Sequence, residues 1–285
     1  MGISTWFSLV KFSHSIFALP FALMSAWIAA GGIPKPLTLL WIAFCAVSAR
    51  TAAMAFNRWL DRDIDRLNPR TRSREIPSGV LKPKAVMTLV ICSSLAFCAG
   101  AFALNPLAGR FSLPVLFVLL FYSAVKRFHW SAHAVLGLAL GFAPLGAWVA
   151  VRGHLEGNLA PPLLLALAVW SWVFGFDLIY ASQDADFDRG AKLHSIPAHF
   201  GIAKALWLSS LLHGVTVLVL FCFAWQAGLG WIFLTAVGIA SGLLLWQHRI
   251  VSPGDLSRAD VAFFTLNGWV GVGLFLGAVL DLALR

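Results

Sequence analysis

The chain has 285 residues, of which 60% are hydrophobic and only 12% charged, with a net charge of +9 and a mean hydropathy of +0.83. That balance excludes a soluble globular domain. The basic residues are not spread over a polar face, so a nucleic-acid partner is excluded as well; the composition specifies an all-α, polytopic membrane protein whose partner is the lipid bilayer.

A bilayer core of roughly 30 Å takes about 20 helical residues. Nine apolar runs are predicted to span it: Phe12–Gly31, Leu37–Phe56, Val86–Leu104, Phe111–Val125, Ala134–Val151, Pro161–Tyr180, Ala203–Trp225, Leu229–Gln247 and Val261–Leu282. Together they read as one integral-membrane domain over residues 1–285. The first run follows Lys11 but reads as a retained span, since no polar domain follows that would need export. Cys45, Cys92, Cys98 and Cys222 lie inside apolar runs without metal-like spacing and read as buried small hydrophobes.

With the N-terminus inside, sixteen of the 21 lysines and arginines fall in cytoplasmic segments, the largest group running from Arg58 to Lys84. The opposite face holds Lys35, Arg110, Arg152 and Arg285, and Arg50 is left within the second span. The positive-inside rule therefore places the N-terminus in the cytoplasm and the C-terminus outside, with a bacterial inner or plasma membrane expected.

Ten of the twelve acids share those cytoplasmic segments. Asn57, Asp61 and Asp65 follow the second span at intervals of four, as Tyr180, Asp184 and Asp188 follow the sixth; Asp177 lies seven before Asp184. On a helix continuing out of the membrane, each series lines one face. Such ladders repel by a few tenths of a kcal/mol per pair, and a divalent cation is the natural compensation. Mg²⁺ takes one or two carboxylates and completes its shell with water or phosphate, so two ladders suit two ions around a diphosphate. An ordinary charge-mixed loop would explain the arginines but not the ladders, nor Asp177 at bilayer depth, where a charge costs on the order of 2.5–3.5 kcal/mol. Arg50 sits seven residues before Asn57, on the same helix face and about two turns deeper.

Setting Asp65 over Asp188 aligns DIDRLNPRTRSREIPSGVLKPKAV with DFDRGAKLHSIPAHFGIAKAL, a parallel internal repeat that brings both acid groups to one mouth. A secondary transporter, the alternative of another class, wants its site near the midplane. Arg70, Arg72 and Arg74, Lys126 and Arg127, and Arg189 and Lys192 converge where the ladders do. Basic groups and Mg²⁺ suit a diphosphate, and apolar helices suit a hydrocarbon; a polyprenyl diphosphate is both. The expected chemistry is stabilisation of a leaving diphosphate while an allylic cation forms away from water. Tyr122 and Tyr180, the only tyrosines, either steady that cation with their ring faces or anchor the chain at the interface. His129 and His133, four apart, lack the third ligand a zinc site wants.

Arg50-x6-Asn57-x3-Asp61-x3-Asp65 followed by NPRTRSREIPSG resembles the first signature of the UbiA-type intramembrane aromatic prenyltransferases. Tyr180-x3-Asp184-x3-Asp188-Arg189 with HSIPAHFG resembles their second, and YSAVKRFHWSAHAVLGLALGFAPLGAW their middle segment. The resemblance implies a nine-helix bundle that uses Mg²⁺ to join a polyprenyl chain to an acceptor ring. It implies that Asn57, Asp61, Asp65, Asp184 and Asp188 bind Mg²⁺-diphosphate, with Arg74 and Lys126 on the phosphates and Arg70 nearby. It places Arg50 on the acceptor, and leaves Asp177 to orient the acceptor, to take a proton, or to pair with a neighbouring base. The branch most resembled is the 4-hydroxybenzoate type, including members used for menaquinone, although His199 stands where Arg is expected. The motifs read the donor, so a haem, chlorophyllide or glycerol phosphate acceptor remains open beside the hydroxybenzoates and naphthoates. The D-x2-D-G-x2-A-R run of the CDP-alcohol phosphotransferases is absent.

Overall fold

The computed structural model describes residues 3–10 and 17–284. Twelve α-helices follow one another: α1 Ile3–Val10, α2 Leu19–Ala30, α3 Pro36–Leu67, α4 Pro83–Leu104, α5 Pro106–Val125, α6 Ala132–Arg152, α7 Ala160–Ala181, α8 Ala185–Gly190, α9 Ile196–Phe200, α10 Ile202–Gln226, α11 Trp231–Arg249 and α12 Asn267–Ala283. Among the described residues eight spans are long and apolar enough to cross a membrane, and α2 is a further apolar helix, shorter than these. The first expected span begins at Phe12, and residues 11–16, with Lys11, lie outside the described residues, as does Arg285.

Proline opens α2, α3, α4, α5 and α7, where its missing N–H costs nothing. The 32 residues of α3 reach about 48 Å, well beyond a hydrocarbon core of roughly 30 Å. One helix thus carries both a span and the first acidic ladder. The second ladder lies on a helical stretch that runs on from Ala160 to Gly190 and tightens to a 3-10 turn over Ser182–Asp184 between α7 and α8. Ser182 Oγ donates to the Leu178 carbonyl at 2.8 Å, a back-bond of the kind that bends helices.

The long helices pack as neighbours in a closed bundle. Helix α3 lies against α4 and α5, α6 against α5 and α7, α7 against α10, α10 against α11 and α11 against α12; α2 completes the circuit, touching α12 and α6. The largest core cluster joins α2, α7, α10, α11 and α12 around Trp172, Phe176, Phe223 and Phe233. A π-helical turn at Val261–Leu266 frees carbonyls, and side chains take them up: Gln247 Nε2 donates to the Ala262 carbonyl at 2.8 Å, and Asn267 Nδ2 to those of Ala262 and Phe263 at 3.0 Å. Helix α1, which composition did not reveal, seats Leu9 among Ala55, Ile76, Leu81, Val86 and Val90, and Ser8 Oγ donates to Glu75 at 2.7 Å. It fastens the loop after α3.

Helices α6 and α7 come within backbone contact of each other. A Cβ on Gly137 would lie 2.7 Å from the Trp170 carbonyl oxygen, and one on Gly141 3.0 Å from that of Ala166. Without hydrophobic drive between spans, such small-residue contacts are what bring helices close. His133, Gly137 and Gly141 are spaced by four and share this face, and Trp170 Nε1 donates across it to the Ala134 carbonyl at 3.1 Å. Gly137→Ala is therefore expected to cost about 1–3 kcal/mol by overpacking. Gly146→Ala, in the same helix but with nothing within 4 Å, should be neutral or slightly stabilising. Thermal unfolding of the purified variants decides, and equal stability of the two would contradict the packing account.

Candidate active site

Asp61 and Asp65 are 1% and 4% exposed, so each carboxylate needs a partner. Asp61 has three: Lys126 Nζ at 2.6 Å, Arg127 Nη2 at 3.1 Å and Asn57 Nδ2 at 3.2 Å. The lysine arrives because α5 ends at Val125 and the next turn folds over α3, with Arg127 also donating to the Leu60 carbonyl at 2.7 Å. The His194 N–H donates to the Lys126 carbonyl at 2.7 Å, tying the segment after α8 to the same turn. Asp65 pairs with Arg74 at 2.7 Å, and its other oxygen, Oδ2, is buried without a hydrogen-bond partner. Arg58, 5% exposed, lies within electrostatic range of Asp65, Arg74, Glu75 and Tyr180.

The second acid group is reached from the first loop. Arg70 grips Asp184 with Nε at 2.9 Å and with Nη2, while Asn68 Nδ2 donates to the same carboxylate at 3.1 Å. Arg70 Nη1 donates to the Tyr180 hydroxyl at 2.8 Å, and its guanidinium carbon lies 4.8 Å from the Tyr180 ring centroid. The Tyr180 ring packs on Phe263 with centroids 4.3 Å apart. Tyr180 is thus a platform for Arg70. Burial disfavours the Arg70 charge, but the hydrogen bonds and charge of Asp184, helped by Tyr180, outweigh it and raise its pKa above the ordinary arginine value. Asp188 lies beside Ser195, within electrostatic range of Lys126, Asp184 and His133.

Deeper in the bundle, half-buried Arg50 and Tyr122 are within electrostatic range of each other, and Tyr122 of Asp61 and Asp177. Asp177 Oδ2 is 2.6 Å from His133 Nδ1. His133 is buried, and its Nε2 has no hydrogen-bond partner. His129 turns away, exposed, to Ser131 Oγ at 2.8 Å. Arg72 and Lys192 are also exposed, and Arg189 pairs locally with Asp186 at 3.0 Å.

Three contributors were not singled out for the site from the sequence: Asn68, Arg58 and His133. A charged residue three before Asp61 and seven before Asp65 was a usable sign for Arg58. For His133 the sign was its four-residue spacing to Gly137 and Gly141, together with an intramembrane Asp177 in need of a partner.

Among the described residues no three acidic, histidine or cysteine side chains converge to hold a metal by themselves. The donors are nonetheless hard oxygens, and the orphaned Asp65 Oδ2 has spare capacity. Mg²⁺ asks for only one or two carboxylates when phosphate and water complete its shell, so these residues fit such an ion.

The model of the UbiA prenyltransferase family matches residues 18–269. The 4-hydroxybenzoate octaprenyltransferase of Nitrosomonas europaea is 32% identical over 92% of this chain and 88% of its own length. A UbiA homologue from Aeropyrum pernix K1, solved in the apo state, is 33% identical, covers 94% of this chain and 98% of its own, and superposes with a TM-score of 0.85. A UbiA homologue from Archaeoglobus fulgidus bound to GPP and Mg²⁺ shares the fold at 16% identity, with a TM-score of 0.73 over 98% of this chain and 99% of its own.

Arg70→Lys keeps the charge but loses the fork that holds Asp184 and Tyr180 together. It is expected to lower stability by about 1.5–3 kcal/mol, the worth of hydrogen bonds to a charged group. Thermal unfolding of the substrate-free protein checks this, and an unchanged midpoint would show that the bridge does not hold the two acid groups together.

Proposed function

Because the chain belongs to the UbiA prenyltransferase family and is an integral-membrane prenyltransferase, we propose that it transfers a polyprenyl group from polyprenyl diphosphate to a hydroxyaryl acid. The acceptor is 4-hydroxybenzoate or a related naphthoate, on the way to ubiquinone or menaquinone. Support comes above all from one contact: Arg70, delivered by the loop after the first ladder, holds Asp184 of the second. Both acid groups and their cations therefore address one volume. The name of the Nitrosomonas relative favours 4-hydroxybenzoate, and the charge distribution puts the mouth of the site and the N-terminus in the cytoplasm.

In this reading Asn57, Asp61, Asp65, Asp184 and Asp188 hold Mg²⁺. The bound ion supplies Lewis-acid stabilisation of the departing diphosphate. Arg70, Arg74 and Lys126, which neutralise carboxylates in the substrate-free protein, turn to the phosphate oxygens when the donor binds. The exchange conserves charge pairing: a multiply charged diphosphate added to carboxylates and cations already matched would otherwise leave negative charge buried and unpaired, at heavy cost. The C1–O bond of the donor then breaks, and an electron-rich ring carbon of the acceptor attacks C1. Arg50, deeper on the α3 face, takes the acceptor carboxylate, and Tyr122 lies beside it within range of the forming cation. Tyr180 positions Arg70.

Membranes carrying the protein, given labelled geranyl diphosphate, Mg²⁺ and a panel of acceptors, are expected to prenylate a hydroxyaryl acid and to stop when EDTA removes the metal. Label incorporated without acceptor or metal, or only into a glycerol phosphate, haem or chlorophyllide, would contradict the reading. Asp61→Ala and Asp184→Ala should each lower turnover by about 100-fold or more, and near-normal turnover of either would remove the metal assignment. Arg50→Ala should raise KM for the acceptor more than for the donor; the reverse would move Arg50 to the phosphates.

A further inference from the structure

We infer that His133, oriented by Asp177, is the base that removes the ring proton in the final step of prenyl transfer, an inference that rests on the proposed aromatic acceptor. Three observations converge. The first is local: His133, Gly137 and Gly141 share the α6 face that meets α7 at backbone contact distance, and this close approach delivers the imidazole to the intramembrane Asp177. The second is polar: Nδ1 lies 2.6 Å from Asp177 Oδ2. A carboxylate there takes the Nδ1–H and leaves Nε2 as a lone-pair acceptor. The third is what is left over: Nε2 is buried and has no hydrogen-bond partner. Buried polar atoms are almost always partnered, so a buried ring nitrogen held in one orientation and left without a partner points to a ligand atom that supplies one.

The surroundings say which ligand. Asp188 is within electrostatic range of His133, and so on the side of the site assigned to diphosphate. Tyr122 is within range of Asp177 and also of Arg50, the side assigned to the acceptor. The dyad is thus within electrostatic range of groups on both sides of the site.

The chemistry balances with the groups present. A bond forms between the acceptor ring carbon and C1 of the prenyl group as the C1–O bond to diphosphate breaks, with the bonding pair leaving on the diphosphate oxygen. The ring is now a cyclohexadienyl cation carrying an sp³ carbon. His133 Nε2 takes the proton from that carbon, the C–H pair returns to the ring, and aromaticity is restored. Asp177 balances the imidazolium that results, as an aspartate does for a catalytic histidine elsewhere. In a site sheltered from water, bulk solvent does not take that proton. Asp177 touches neither reactant here and is a positioning residue; His133 is the catalytic one.

The test uses the full-length protein in detergent or nanodiscs with Mg²⁺, geranyl diphosphate and 4-hydroxybenzoate, either unlabelled or deuterated at the two ring positions beside the hydroxyl. In the wild type, proton loss follows a slower ionisation, and kcat is expected to be insensitive to the deuterium. His133→Gln puts an amide in place of the imidazole and is no base. Its kcat should fall by about 100-fold or more, and a primary deuterium isotope effect should appear because proton loss is now limiting, with donor KM little changed. His133→Ala should recover part of its turnover with added imidazole, which a packing role would not give. Asp177→Asn should lower kcat less than His133→Gln and show a smaller isotope effect. Wild-type turnover in His133→Gln overturns the assignment, as does a loss with neither isotope effect nor imidazole rescue of His133→Ala. A wild-type protein that prenylates no hydroxyaryl acid removes the aromatic-acceptor reading and this inference with it; an active wild type beside an isotope-silent His133→Gln removes this inference alone.

Discussion

A carboxylate buried at the rim of a hydrocarbon layer must be neutralised, and the arrangement of this protein follows from how that is done. Three acids of the site, Asp61, Asp65 and Asp184, are answered by cations from other parts of the chain. Lys126 and Arg127 come from the end of α5 to Asp61, Arg74 from the loop beyond α3 to Asp65, and Arg70 from the same loop to Asp184 past the end of α7. Buried pairs add little net stability, but removing one partner costs about 3–5 kcal/mol because a bare charge remains. The same pairs therefore link three helices at one rim and keep their charges ready to be redirected. A substrate that brings negative phosphate together with divalent cations offers every member a new partner, so binding can exchange contacts without leaving any charge alone.

Beneath the ionic rim, geometry is set by size. Gly137 and Gly141 let α6 come within backbone contact of α7, and the polar pair His133–Asp177 sits at the end of that seam. Precision comes from the absence of side chains along the seam. The stiffness contrasts with the rim, where long basic side chains have rotamer freedom to follow the substrate. The proposed reaction, which ionises a donor and then removes a proton, would use both: adaptable charges where the leaving group departs and a fixed base where the proton leaves.

Much of this was visible in the amino-acid order. Hydropathy located all the long spans, because a helix in lipid must be apolar for about 20 residues wherever it sits. The ladders at Asn57, Asp61, Asp65 and at Asp184, Asp188 were visible because a four-residue period survives without tertiary information. Three features were not. The 3-10 tightening at Ser182 accompanies a side chain bonded back to the helix ladder, which periodicity does not register. Helix α1 is short, and Leu9 finds its place only against residues 46 to 81 positions away in sequence. Two partners of the acids were invisible for the same reason: Asn68 reads as an ordinary turn residue and His133 as half of an unconvincing zinc pair until α6 and α7 are side by side.

The exchange of partners at the rim is the claim on which the rest depends, and it is most directly tested by determining the structure with Mg²⁺ and an unreactive thio-analogue of geranyl diphosphate. The account expects Arg70 to have left Asp184 for a phosphate oxygen, with Asp184 facing the metal. A bound analogue with Arg70 still clasping Asp184 and no metal between acid and phosphate would contradict it.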